Sequence, residues 1–221
     1  SSEPSVKWMD VVNETILPSG KWHGPKLGNN KWENPWLKIG LDENEFPLYI
    51  LKSFEIATKL APNISLVFNQ NAGFQPRLWD KLKKSVKYIR SKGYRVDGIG
   101  WQGHLLLSKS TYGFVNDLDK GIKDLSNLID WAHENDLDFH VTELDYFVED
   151  KSNLSNDLLD QKMIYSRIIN LLKDKSKNGL VTLNFWDMGE RFKKGKGYFQ
   201  SIYSKDLEPN PSYELLNNIL K

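Results

Sequence analysis

Strand-like apolar runs alternate five times with helix-spaced apolar residues along these 221 residues, and that alternation limits the fold more than any other feature. The first run, Val6 to Glu14, is rich in Val and Trp and holds no Gly or Pro, as a strand requires. A loop rich in Gly, Pro, Asn and Trp follows from Thr15 to about Gly40, too long for a plain connector and so a carrier of function. Spacing predicts a helix over Pro47 to Leu60 with Leu51, Phe54, Ala57 and Ala61 on its buried face. The pattern continues with a strand over Ile64 to Asn69 and a helix through Leu78, Leu82, Val86 and Ile89. A strand over Val96 to Gln102 and a helix through Leu118, Ile122, Leu125 and Ile129 form the next unit. Last come Phe139 to Glu143, a helix through Ile164, Ile168, Leu171 and Leu172, the strand Leu180 to Trp186, and a closing helix from Pro211 to Leu220.

Such alternation argues for a parallel sheet with helices outside it. An open doubly wound sheet would alternate too, but would normally bind ligand at one switch point between two strands. Here every strand ends in polar or aromatic residues: Asn13-Glu14, Asn69, Gln102 with His104, Glu143 with Asp145, and Trp186. A single rim fits that distribution better, and a single domain over residues 1–221 is the simplest organisation. Gly98-Ile99-Gly100 is too short for a dinucleotide fingerprint, so nucleotide binding is not expected. Lys+Arg 30 against Asp+Glu 29 gives a net charge of +1, which offers nucleic acid no strong field. The lysines between Lys81 and Lys87 and between Lys193 and Lys196 read as a solvated helix face and a loop. With no cysteine, disulfides, thiol nucleophiles and thiolate metal sites are excluded. No apolar stretch approaches membrane-spanning length, so no membrane partner is expected. Ser1 to Ser5 lack the features of a signal peptide, though a leader could have been removed ahead of them.

Two glutamates, Glu14 and Glu143, each end an apolar run on a different strand, and cleavage of a glycosidic bond needs two such carboxyl groups. One must protonate the departing oxygen while the other, ionised, attacks or stabilises the anomeric carbon. A parallel sheet delivers its strand ends to one face, where remote carboxylates can meet.

At these strand ends the chain resembles glycoside hydrolase family 10, the endo-1,4-β-xylanases. Asp10-Val11-Val12-Asn13-Glu14 is similar to the family's W-D-V-V-N-E strand, with Met9 in place of Trp. Asp97-Gly98-Ile99-Gly100-Trp101-Gln102-Gly103-His104 matches D-G-I-G-x-Q-x-H, and Thr142-Glu143-Leu144-Asp145 matches T-E-L-D. Weaker agreement comes from Asn34-Pro35-Trp36 followed by Gly40, from Phe185-Trp186, and from Pro209-Asn210-Pro211-Ser212-Tyr213. The chain departs from the family at Asn69-Gln70-Asn71, at Asp187 and around Lys193-Lys194, where a second Trp is usual. The resemblance implies a (β/α)8 barrel of the TIM type, of which strands four to eight, about five β/α units, are present. It implies Glu14 as acid, then base, and Glu143 as nucleophile, hence retention of configuration with carboxyl groups roughly 5 to 5.5 Å apart. His104 would hydrogen-bond Glu143, and Asp145 would orient that imidazole. Asn13 would bind the sugar 2-hydroxyl, with Asn69 and Gln102 lining the same rim. Trp186 would stack on the sugar, Trp22 is the next candidate, and Trp32, Trp36 and Trp101 are candidates for flanking subsites. His23, His133 and His140 read as packing or structural residues. The chemistry requires no metal or cofactor.

The expected partner is a β-1,4-linked polysaccharide or oligosaccharide, and the family implies an extracellular or periplasmic location. A related barrel hydrolase acting on another β-glycan, such as a cellulase or mannanase, and a non-catalytic glycan-binding remnant are the alternatives. Five strands cannot close an eight-stranded barrel and would leave unpaired edges. The expectation is therefore a catalytic domain incomplete on its N-terminal side, the rest being supplied by another segment or chain.

Overall fold

The computed structural model describes residues 6–25, 34–71, 73, 75–106, 114–148, 154–187, 189, 191–192 and 198–219. Trp32 and the lysines from Lys193 to Lys196 lie outside them, as does Leu220 at the end of the closing helix. Two compact units result, one within Ser1–Asn71 and Gln75–Gly100, the other within Ala72–Phe74 and Trp101–Lys221.

In the first unit, β1 (Trp8–Asn13) pairs in parallel with β2 (Ser65–Gln70), which neighbours β3 (Gly98–Trp101). Leu66, Val67 and Phe68 are all fully buried, so β2 is covered on both faces, as a parallel strand between helices must be. A short 3-10 helix (Pro35–Ile39) starts where Asn34 accepts a hydrogen bond from the Trp36 N–H. α1 (Leu48–Leu60) turns Tyr49, Ile50, Phe54 and Ala57 inward and leaves Leu51 half-buried. The inward face is thus set one residue earlier than Leu51 predicts, because Phe54 stacks on Phe68 at 6.0 Å and carries Ile50, one turn back, with it. α2 (Pro76–Ser91) buries Leu78, Leu82, Val86 and Ile89 as the spacing predicts.

The second unit holds β4 (His104–Leu106), α3 (Leu118–Glu134), β5 (Asp138–Val148), α4 (Leu154–Lys175), β6 (Val181–Phe185), β7 (Arg191–Phe192), β8 (Tyr198–Gln200) and α5 (Pro211–Ile219). β5 is its axis, pairing in parallel with β4 and β6 and antiparallel with β8, which in turn pairs with β7. Three features depart from the predicted pattern. β5 runs on to Val148 instead of stopping at Glu143, β4 forms a separate parallel strand, and β7 with β8 makes an antiparallel ribbon. Strands of two or three residues are too short to display a period, and the backbone of β4 and β8 is what β5 needs to satisfy its own extension.

Both β1, which leads into Glu14, and β5, which carries Glu143, are bulged, and Glu143 lies inside the shifted stretch of β5. In β1, Asp10 pairs with Val67 and Val12 with Phe68, leaving Val11 extra; in β5, three steps from Val141 to Leu144 face two from Leu183 to Phe185. An inserted residue reverses the inward–outward alternation beyond it and so re-aims whatever follows.

Candidate active site

Geometry in the second unit centres on an imidazole between two carboxylates. His104 and Asp145 are direct partners in the β4–β5 register, and His104 Nδ1 lies 2.9 Å from Asp145 Oδ1. On its other side, His104 Nε2 lies 3.3 Å from Glu143 Oε2. One ring thus reaches both acids, two residues apart along β5. Asp145 is almost fully buried and the Glu143 side chain only 12% exposed. Burial by itself would push the His104 pKa down, but hydrogen bonds to Asp145 and then Glu143 outweigh it and hold the ring up at about 9. His104 is therefore an imidazolium at neutral pH, with both ring nitrogens donating.

The surrounding backbone is tied to this row. The Glu143 N–H donates to the Gln102 carbonyl at 2.9 Å, and the Trp186 N–H donates to the Leu144 carbonyl at 3.1 Å. Trp186 stands edge-on to His104 with centroids 6.1 Å apart and remains 52% exposed, so an apolar face is offered beside the carboxylates. Gln102 is buried at 1% exposure. Gly103, between Gln102 and His104, has φ +79, and a Cβ there would come within 3.2 Å of Val141 Cγ1. Gly103→Ala is expected to cost about 1 to 2 kcal/mol, read as a lower urea midpoint, because both the dihedral and the contact oppose a side chain.

In the first unit, Asn13 and Asn69 are register partners at the ends of β1 and β2, and Asn69 Nδ2 donates to Asn13 Oδ1 at 3.2 Å. Glu14 follows with φ 54, a left-handed conformation unusual for a residue with a side chain. That turn is held by three contacts: the Glu14 N–H donates to the Asn69 carbonyl at 3.3 Å, His23 Nδ1 lies 2.9 Å from the Glu14 carbonyl oxygen, and the His23 N–H donates to the Thr15 carbonyl at 2.8 Å. Gln70, fully buried, clamps Ile16 from both sides, accepting from its N–H at 3.2 Å and donating to its carbonyl at 2.9 Å. Strain at an acid held this firmly by its neighbours is characteristic of functional positions.

Trp22 is pinned by its indole N–H to the Glu45 carbonyl at 3.0 Å and by an edge contact with Phe46. The Lys81 ammonium lies 4.3 Å from the centre of its ring. Trp36 is 62% exposed, whereas Trp101 is buried at 1% and packs on Phe114 at 5.4 Å. Trp101 is thus a core residue and no subsite wall. Gln70 and His23 were not legible as supports of Glu14; a polar residue two places beyond a buried strand's apolar run was the available signal for Gln70. Among the described residues, no group of three or more His, Cys, Asp or Glu is arranged to hold a metal ion, and no helix is long and apolar enough to cross a membrane.

A family model described as glycosyl hydrolase family 10 matches residues 3–218. The chain belongs to that family. It is 30% identical over 196 residues to endo-1,4-beta-xylanase A of Thermoanaerobacterium saccharolyticum, covering 86% of this chain and 14% of the relative. It is 27% identical over 220 residues to exoglucanase XynX of Acetivibrio thermocellus, covering 96% of this chain and 17% of that protein. The crystal structure of xylanase 10B from Thermotoga petrophila RKU-1 in complex with xylobiose superimposes with a TM-score of 0.77 at 22% identity, over 99% of this chain and 61% of that one. This family 10 chain therefore spans less than two thirds of each of these three relatives. Its fold is of the (β/α)8 barrel type, with about five β/α units present.

Proposed function

We propose that this chain is the catalytic part of a retaining endo-1,4-β-xylanase. Glu143 attacks the anomeric carbon as a carboxylate while the bond from that carbon to the leaving oxygen breaks, and Glu14 delivers its proton to that oxygen. Water then gives a proton to Glu14 and attacks the same carbon, displacing Glu143 and restoring both carboxyl groups. What supports the assignment of Glu143 is the His104 imidazolium 3.3 Å away, itself anchored by Asp145, which supplies countercharge and fixes the direction of attack. What supports Glu14 is its position in a firmly held left-handed turn beside the paired Asn13 and Asn69, either of which offers amide groups to a sugar hydroxyl. The xylobiose bound by one structural relative supports xylan as the glycan.

Action on a β-1,4-glucan is the second reading, favoured by the exoglucanase among the relatives. Reducing-sugar release from xylan, cellulose and mannan separates the two: xylan alone is expected to be cleaved, and cleavage of cellulose in preference would replace the first reading with the second. A polymeric substrate also favours action outside the cytoplasmic membrane, to be checked by fractionating cells of the source and locating the chain with antibody.

A further inference from the structure

Glu14 stands where β1 stops and the chain turns inward, since Thr15 and Ile16, which follow it, are each only 1% exposed. Its N–H still reaches the Asn69 carbonyl at 3.3 Å, the last link to β2, but its own carbonyl is answered from outside the sheet. A backbone oxygen turned out of its ladder needs another donor. His23 Nδ1 supplies it at 2.9 Å. Because a carbonyl oxygen only accepts, Nδ1 carries the hydrogen in this contact.

A hairpin between the two residues brings the ring back to the acid. The Leu17 N–H donates to the Lys21 carbonyl at 2.8 Å, the Gly20 N–H to the Leu17 carbonyl at 2.8 Å, and Ile16 and Trp22 form an antiparallel bridge. The His23 N–H then closes on the Thr15 carbonyl at 2.8 Å. At the hairpin's tip Gly20 has φ +79, and a Cβ there would come within 3.0 Å of the Arg77 carbonyl oxygen. Glycine therefore lets the tip lie against the first turn of α2. The Trp22 indole, pinned to the Glu45 carbonyl, fixes the residue just before the imidazole. From the opposite side the Gln70 amide grips Ile16 by its N–H and its carbonyl. These two clamps oppose rotation of the Glu14–Thr15 peptide. Rotation would release Glu14 from the left-handed region, which side-chain-bearing residues seldom occupy, and the carboxyl would swing with the backbone.

We propose that His23 is a positioning residue for Glu14, a ring donor that keeps the acid's turn left-handed and so fixes where its carboxyl group stands. This rests on the reading of Glu14 as the acid. The imidazole acts on the reaction at one remove, through the backbone of the residue it holds.

The test compares His23→Leu, which removes the donor, with His23→Asn, whose amide nitrogen occupies the place of Nδ1 and can still donate. Both are made in the full chain and assayed on xylan and on a dinitrophenyl β-xylobioside, whose leaving group departs without a proton. In H23L, kcat/KM on xylan is expected to fall by about thirtyfold, part of the roughly hundredfold or more that a general acid contributes. On the dinitrophenyl glycoside the same variant is expected to lose less than about twofold, and H23N to stay within about threefold of the parent on xylan. A merely structural His23 would lower both substrates by one factor, together with the melting temperature. The second readout is the backbone itself. NMR chemical shifts of Glu14 Cα and Cβ, which follow its φ and ψ, are expected to move in H23L and to hold in H23N. Equal losses on the two substrates, or Glu14 shifts unmoved in H23L, overturn the proposal. A parent chain that cleaves neither substrate counts against the functional reading alone, and the Glu14 shifts then decide the role of His23.

Discussion

Glu143→Gln is expected to lower xylan hydrolysis by about ten-thousand-fold or more while leaving the fold intact. An amide keeps the size of the side chain and can still accept from His104 Nε2 at 3.3 Å, so packing around the row is preserved. In the proposed mechanism it lacks the carboxylate that attacks the anomeric carbon, and Asp145, buried and committed to His104, is no substitute. Glu14→Gln should behave differently. Aryl xylosides with good leaving groups depart without a proton, so their cleavage is expected to survive in E14Q far better than xylan cleavage, whereas E143Q loses both. Azide supplied to an E143A variant carrying an activated substrate should yield the glycosyl azide of inverted configuration, as one displacement replaces two. More than about one hundredth of parental activity in E143Q would remove Glu143 from the nucleophile's role.

Stability is expected to peak near pH 6.5 and to fall on both sides through two different histidines. His104 is raised from 6.5 to about 9 in the folded protein, so its contribution is complete below pH 6.5 and is lost as pH climbs to about 9. His140, fully buried and 2.8 Å from Thr182 Oγ1, is pushed down by burial from 6.5 to about 4. Its neutral form is the one the fold accommodates, so stability is complete above pH 6.5 and is lost as pH falls toward 4. Each limb spans roughly 3 kcal/mol at most, because moving a titration midpoint by a single pH unit is worth about 1.4 kcal/mol. Urea midpoints from pH 4 to 9 would trace the two limbs. H140Q is expected to flatten the acid limb and leave the alkaline one, and H104Q the reverse, at the cost of two carboxylates facing each other without a cation. An alkaline limb that persists in H104Q would refute the ionised imidazole.

The five strand–helix units were legible because each rests on local periodicity. Leu78, Leu82, Val86 and Ile89 point inward in the structure as their spacing required, and most strands begin and end within about two residues of their apolar runs. Where a neighbour decided the matter, the pattern fell short. Ile50 replaced Leu51 in the core because Phe68 sets the rotation of α1, and the ribbon of β7 with β8 exists because β5 is long enough to pair with it. Trp101 and Trp186 are the same residue type at strand ends, yet one is buried on Phe114 and the other half open beside His104.

From composition and order alone came two acids closing two apolar runs and no thiol to compete, while the imidazole and second carboxylate beside one of them came from the resemblance to the family's motifs. The former follow from side-chain identity and from periods of two and 3.6, which are properties of a few consecutive residues. Tertiary structure alone decided which nitrogen of His104 meets which acid, that β1 and β5 are bulged, why one histidine stays charged and another neutral, and how Gln161 joins α4 to α5. Each depends on burial and on partners up to about fifty residues away, as Gln161 and Ser212 are, and desolvation and pairing energies of that kind leave no periodic trace in the chain that carries them.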